Sequence, residues 1–224
     1  MAQGRSIGRV EPILALAAQN HIPIKRVSTA QLDTIARNRF HQGIGATVSP
    51  YPLVEIDDIL NNLSSHQDPP FLLLLDSIMD PQNLGALIRT ALCAGVGGII
   101  IPKNRAASPS PAVSKASAGA LEHMRVAKVT NLVNTIDLLK AAGIWIFGMD
   151  GAAEKSIYRA ALTGPIGIII GGEEKGIRPL VKQQCDEMLS IPQTGLVGSL
   201  NASAAGAILM YEAFRQRKTV CRGH

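Results

Sequence analysis

FLLLLDSIMDPQNLGALIRTA, residues 71–91, decides the fold. Five apolar residues closed by Asp76 form the pattern of a short strand buried on both faces. The chain then leaves through an Asp-Pro turn and enters a helix carrying Asn83 and Arg89, six residues apart. Toward the C-terminus the same grammar recurs in GGIIIP (97–102), MRVAKV (124–129), GIWIFGMD (143–150), IGIIIGGE (166–173) and MLSIP (188–192). Each run is followed by polar or glycine-containing loops and helix-like stretches. That alternation predicts an α/β fold with a parallel sheet covered on both faces. Ligands of such sheets sit beyond the carboxyl ends of the strands, so the residues just after these runs are where chemistry is sought.

Toward the N-terminus the grammar changes. Between Pro50 and Pro70 stand Pro-Tyr-Pro, a short acidic helix candidate at Glu55–Leu63, and SSHQDPP, a composition that suits a linker. The expected organisation is a small domain over 1–52, a linker over 53–69 and a main domain over 70–224. The first fifty residues read as helix, strand, helix, strand. Val10–Asn20 has helical apolar spacing, Ile24–Val27 is short and β-rich, and Ser28–Asn38 opens with Ser-Thr caps. No opening strand and helix completes a sheet there, so a deleted or divergent N-terminus is expected.

At 224 residues, 46% hydrophobic and 17% charged, the composition is that of a compact globular protein. Runs such as Phe71–Leu75 fall far short of the roughly 20 residues of a membrane helix, and the N-terminus lacks the apolar core of a signal peptide. Cys93, Cys185 and Cys221 form no CxxC pair, which argues against a disulfide framework and a zinc site and fits a reducing cytoplasm. The net charge of +5 permits a polyanionic partner without demanding one.

Four places qualify for chemistry. In NLGALIRTA, Asn83 and Arg89 lie nearly two turns apart, roughly 9 Å along the helix; taken alone, a helix cap and a solvated arginine describe them better than a shared site does. In GGEEKGIRP (171–179) paired glycines let backbone approach a ligand, and Glu173 can accept from hydroxyls. A plain strand-to-helix turn accounts for the stretch equally well on local grounds, and the spacing is not that of a P-loop. Ser190-Ile191-Pro192 and Ser199-Leu200-Asn201 complete the set, the latter opening a helix so rich in small residues that another backbone is expected close against it. Ser199 and Asn201 could serve only as caps. His41 and His123 read as structural or solvated.

In order and spacing, NLGALIRTA, GGEEKG and SIP followed by SLNASAA closely resemble the three motifs of the SpoU (TrmH-like) branch of the SPOUT methyltransferases. HQGIGATVSPYP, residues 41–52, resembles the end of the RNA substrate-binding domain in members that methylate guanosine of 23S ribosomal RNA. The resemblance implies a C-terminal deep trefoil knot, S-adenosylmethionine as methyl donor without metal, an RNA substrate, and a homodimer. It implies that Gly171, Ile191 and Leu200 hold the cofactor through backbone groups, and that Asn83, Arg89, Glu173, Ser199 and Asn201 occupy the active-site positions. Gly198 stands where the family often carries a polar side chain. The implied reaction is in-line attack of a ribose 2'-hydroxyl on the sulfonium methyl. A guanidinium is a poor base in water, so Arg89 is cast first as a phosphate clamp and charge stabiliser, its role as base being a hypothesis. Transfer RNA as substrate and a non-catalytic RNA-binding or ribosome-assembly factor on the same fold are the alternatives. A doubly wound nucleotide-binding protein of other chemistry ranks last, because no GxGxxG follows the first strand.

Overall fold

The structure is a computed structural model that describes residues 7–36, 41, 43–64, 68–195 and 199–221. The chain forms two compact units, 1–50 and 51–224. In the first, α1 (Ile7–Gln19) and α2 (Thr29–Ile35) are the regular elements among the described residues. Ser28 begins α2 with a capping box, its hydroxyl accepting from the Gln31 N–H and the Gln31 side chain accepting from the Ser28 N–H. The two strands expected here do not form among the described residues. Ile24–Val27 has the propensity for a strand, but no strand is formed there among the described residues, and Ile22 and Ile24 are exposed.

The second unit runs through α3 (Ile56–Ser64), β1 (Phe71–Asp76), α4 (Pro81–Cys93), β2 (Gly98–Pro102), α5 (Pro111–Ala116), β3 (Val126–Val129), α6 (Leu132–Ala141), β4 (Trp145–Met149), β5 (Lys155–Ser156), β6 (Ile166–Gly171), α7 (Pro179–Gln184), β7 (Glu187–Ser190) and α8 (Ala202–Cys221). The strands form one sheet of order β3-β2-β1-β6-β4-β7-β5. Every pairing is parallel, with Leu73 opposite Ile99 on one side and Ile168 on the other. Side chains alternate between faces along each strand. Phe71, Leu73 and Leu75 therefore join the core beneath α4, α5 and α8, whereas Leu72 and Leu74 join the core beneath α3, α6 and α7. All six β1 residues are buried, as the unbroken apolar run predicts.

Val54 and α3, which lie within the stretch 53–69 expected as a linker, are packed into this unit. Val54 bridges to Ala127, and Ile59 is fully buried against Gly98, where an added Cβ would lie 2.8 Å from the Ile59 Cγ2. The acidic helix has an apolar side that fits the sheet, and burying it outweighs the freedom its Pro-rich flanks suggest. Among the described residues no helix is long and apolar enough to cross a membrane.

Candidate active site

The helix α4 starts where Asp80 caps it, accepting from the Gln82 and Asn83 N–H groups with Pro81 at the first helical position. Asn83 is thereby released from capping, the role its position first suggests. It is buried at 8% exposure and donates its Nδ2 to Glu173 Oε1 at 2.8 Å. From the far end of the chain, Asn201 begins α8, its Oδ1 accepting from the N–H groups of Ser203 (2.9 Å) and Ala204 (3.3 Å). That cap fixes the amide orientation and turns Nδ2 toward Asn83 Oδ1 (3.0 Å) and Glu173 Oε1 (2.5 Å). One residue from each of three motifs thus meets in a single hydrogen-bonded cluster.

Glu173 is carried by a loop held from beneath. The carboxylate of Asp76, fully buried at the end of β1, accepts from the Arg178 Nε at 2.7 Å and the Arg178 N–H at 2.8 Å. A buried charge demands such pairing. The loop between is folded tightly: an added Cβ on Gly171 would lie 2.1 Å from the Gly176 carbonyl carbon, and one on Gly172 2.4 Å from the Ser77 carbonyl oxygen. Ser77 itself takes the left-handed conformation, φ 65°.

Beside the cluster, beyond the carboxyl ends of β4, β6 and β7, opens a cleft of about 870 Å³. Gly171, Glu173, Ile191, Ser199 and Leu200 all line it. Ile170 and Ile191 give its lining an apolar part, and Asp150 and Lys182 a charged one. The Lys182 side chain, with help from the Ala152 N–H, holds the Asp150 carboxyl below the usual carboxylate range. Burial pushes the nearby Cys185 thiol up to about 11, which keeps it protonated and unreactive at neutral pH.

Arg89 stands apart from the cluster. It is exposed, and its side chain makes no hydrogen bond or ion pair among the described residues. Ser199 is exposed and likewise unbonded among them, and Gly198 lies outside the described residues. The small residues of α8 do accommodate a close neighbour, but it is a side chain: an added Cβ on Gly206 would lie 2.4 Å from Leu87 Cδ2. The Asp80 cap and the Asp76–Arg178 pair escaped sequence reasoning. The first has a visible signal, Asp-Pro before a helix. The second has none beyond an acid at a strand end, because its partner lies 102 residues away.

The cleft fits S-adenosylmethionine on three counts. Its volume falls in the range of about 300–1,000 Å³ typical of small-molecule sites. Backbone walls it where a Cβ could not be tolerated, and a lining with both apolar residues and charges of both signs suits a ligand with an aromatic base at one end and a zwitterion at the other. Among the described residues no group of three or more His, Cys, Asp or Glu side chains could hold a metal.

A parallel sheet with a glycine-walled, nucleoside-sized cleft at its carboxyl edge defines an α/β enzyme of the cofactor-binding kind. Residues 70–211 match the SpoU rRNA Methylase family, and residues 1–54 match the RNA 2'-O ribose methyltransferase substrate binding domain. The chain belongs to the SpoU rRNA methylase family. It is 39% identical to the 23S rRNA (guanosine-2'-O-)-methyltransferase RlmB of Pseudomonas putida, over 97% of this chain and 88% of that protein. With RlmB of Vibrio parahaemolyticus the identity is 42% over 96% and 87%. Among solved structures, the AdoMet-bound rRNA methyltransferase of Sinorhizobium meliloti superposes with a TM-score of 0.74 at 26% identity, covering 92% of this chain and 77% of that one. AviRb of Streptomyces viridochromogenes, a SpoU methyltransferase in complex with AdoMet, gives 0.68 at 28%, covering 75% and 63%.

Proposed function

We propose that this protein transfers the methyl group of S-adenosylmethionine to the ribose 2'-hydroxyl of a guanosine in 23S ribosomal RNA. The observation that carries the reading is the Asn83–Glu173–Asn201 cluster at the edge of the glycine-walled cleft, with Arg89 left free on the same helix as Asn83. Relatives named as 23S rRNA guanosine methyltransferases at about 40% identity support the substrate.

When bound, the cofactor supplies an electrophilic methyl on a sulfonium. The chain's part is to align and to stabilise. Gly171, Ile191 and Leu200 would hold the cofactor, chiefly through backbone groups, and the dry interior by Ile170 would take the adenine. Arg89, with no protein partner among the described residues, is free to clamp the phosphate beside the target ribose and stabilise charge as the 2'-oxygen loses its proton. Asn83 and Asn201 hold Glu173 by hydrogen bonds, which would keep the loop rigid at the reacting edge, and Ser199 would hydrogen-bond near the ribose. Alignment of this kind supplies much of the acceleration of a two-reactant step.

The same reading takes residues 1–52 as the RNA-gripping portion, a cytoplasmic location and a homodimer, for which sedimentation should report twice 23.7 kDa. It also takes the C-terminus as threaded, which the return of α8 onto α4 and β6 supports. The decisive assay presents labelled S-adenosylmethionine with unmodified 23S ribosomal RNA and, separately, bulk transfer RNA. Label in the first alone, lost in Arg89→Ala, is expected. Label in transfer RNA alone would replace the substrate, and label in neither despite cofactor binding would leave a binding role.

A further inference from the structure

Beyond β2 and β3 the sheet opens onto a second groove, of about 560 Å³, which shares Pro179 with the cofactor cleft. Its polar lining is Asn104, Arg105, Thr130, Asn131 and Arg178, and no carboxylate lines it. Nothing in the proposed chemistry uses it. Arg178 is held there by the fully buried Asp76, which takes its Nε and backbone N–H. Its side chain is nevertheless 41% exposed, and its two Nη groups have no partner among the described residues. A guanidinium anchored through Nε presents its outer edge in a fixed direction, the arrangement suited to bidentate capture of a phosphate. Arg105, in the same lining, is exposed and forms no ion pair among the described residues. Pro102, Pro179 and Leu180 add apolar surface, Leu180 being 68% exposed.

We propose that this groove is a phosphodiester subsite for the substrate RNA, in which Arg105 and Arg178 grip nucleotides flanking the methylated one. Two guanidiniums without a lining carboxylate select an anion, and exposed apolar walls beside them suit the sugar and base of a nucleotide. Sharing Pro179 with the cofactor cleft sets the groove beside that cleft, within reach of nucleotides next to the one being methylated. The inference rests on the methyltransferase reading and adds to it where the RNA lies.

The test uses the full chain, an unmodified 23S ribosomal RNA transcript and GMP as a free-nucleotide probe. Arg105→Ala should weaken RNA binding about fivefold, and Arg105→Glu more. The slope of log affinity against log salt should fall by about one for each phosphate no longer gripped. Cofactor affinity should hold. Asn104→Asp, which places a negative charge in the same groove, should weaken RNA binding in the same direction should the Arg105 variants unfold. A wild-type enzyme that methylates the transcript while all folded variants bind it with unchanged affinity and salt slope overturns the subsite alone. Loss of GMP binding with RNA affinity intact overturns it in favour of a free-nucleotide site. A wild-type chain that neither binds nor methylates the transcript removes both the subsite and the functional reading.

Discussion

Residues 51–224 bury their apolar side chains on both faces of a seven-stranded sheet, whereas the first fifty residues bury one, Leu32, among those described. In that first unit Ile13, Leu16, Ile22, Ile24, Ile35 and Val48 are 47–72% exposed. Order there rests on local devices: the Ser28–Gln31 capping box and a 2.8 Å hydrogen bond between His41 Nε2 and Asp33. Helices so short are marginal when local interactions alone support them. The difference separates a body that fixes a site to within a hydrogen bond from a segment whose apolar surface has little interior of its own to fill. Precise chemistry belongs to the first kind of structure.

The largest effect expected from that contrast is at Arg89. Arg89→Lys keeps the charge but loses the planar fork, and turnover should fall about a hundredfold or more with cofactor affinity unchanged. Near-normal single-turnover rates would remove Arg89 from the chemistry. Next comes the core. Ile168→Ala, at a fully buried position on the central strand β6, should cost about 2–5 kcal/mol in chemical denaturation. Leu32→Ala should leave the main unfolding transition in place, its effect confined to the first unit; an equal shift in both variants would mean that the two units unfold as one. The smallest effect is electrostatic. Because Lys182 holds the Asp150 carboxyl low, the pair stabilises the fold at neutral pH, and the contribution is lost as pH falls through that depressed value. Lys182→Met should therefore be less stable than wild type at pH 7, by under about 1 kcal/mol for a largely exposed pair. The gap in melting temperature should close on acidification, and a gap that widens would reverse the sign of the interaction.

The same contrast governs how far the sequence could be read. Strands such as Phe71–Asp76 and Ile166–Gly171 were legible because burial on both faces leaves an unbroken apolar run. Lys155–Ser156 was not, since two polar residues become a strand only by pairing with Leu189 and Ser190. Ile24–Val27 misled in the opposite direction, having the composition of a strand and no strand to pair with among the described residues. At the site, motif resemblance brought Asn83, Glu173 and Asn201 to one place. It could not foresee that Asp80 would do the capping and free Asn83, nor that Asp76 and Arg178 would anchor the loop, because a pairing across 102 residues leaves no local pattern.

The central claim is methylation of a ribose oxygen, and the most direct test is to identify the product. The 23S ribosomal RNA treated with the enzyme and labelled S-adenosylmethionine is digested to nucleosides and resolved by mass spectrometry. Label in 2'-O-methylguanosine, at one nucleotide and absent with Arg89→Ala, is the predicted result. Label on a base, or an enzyme that binds the cofactor and labels no RNA, would contradict it.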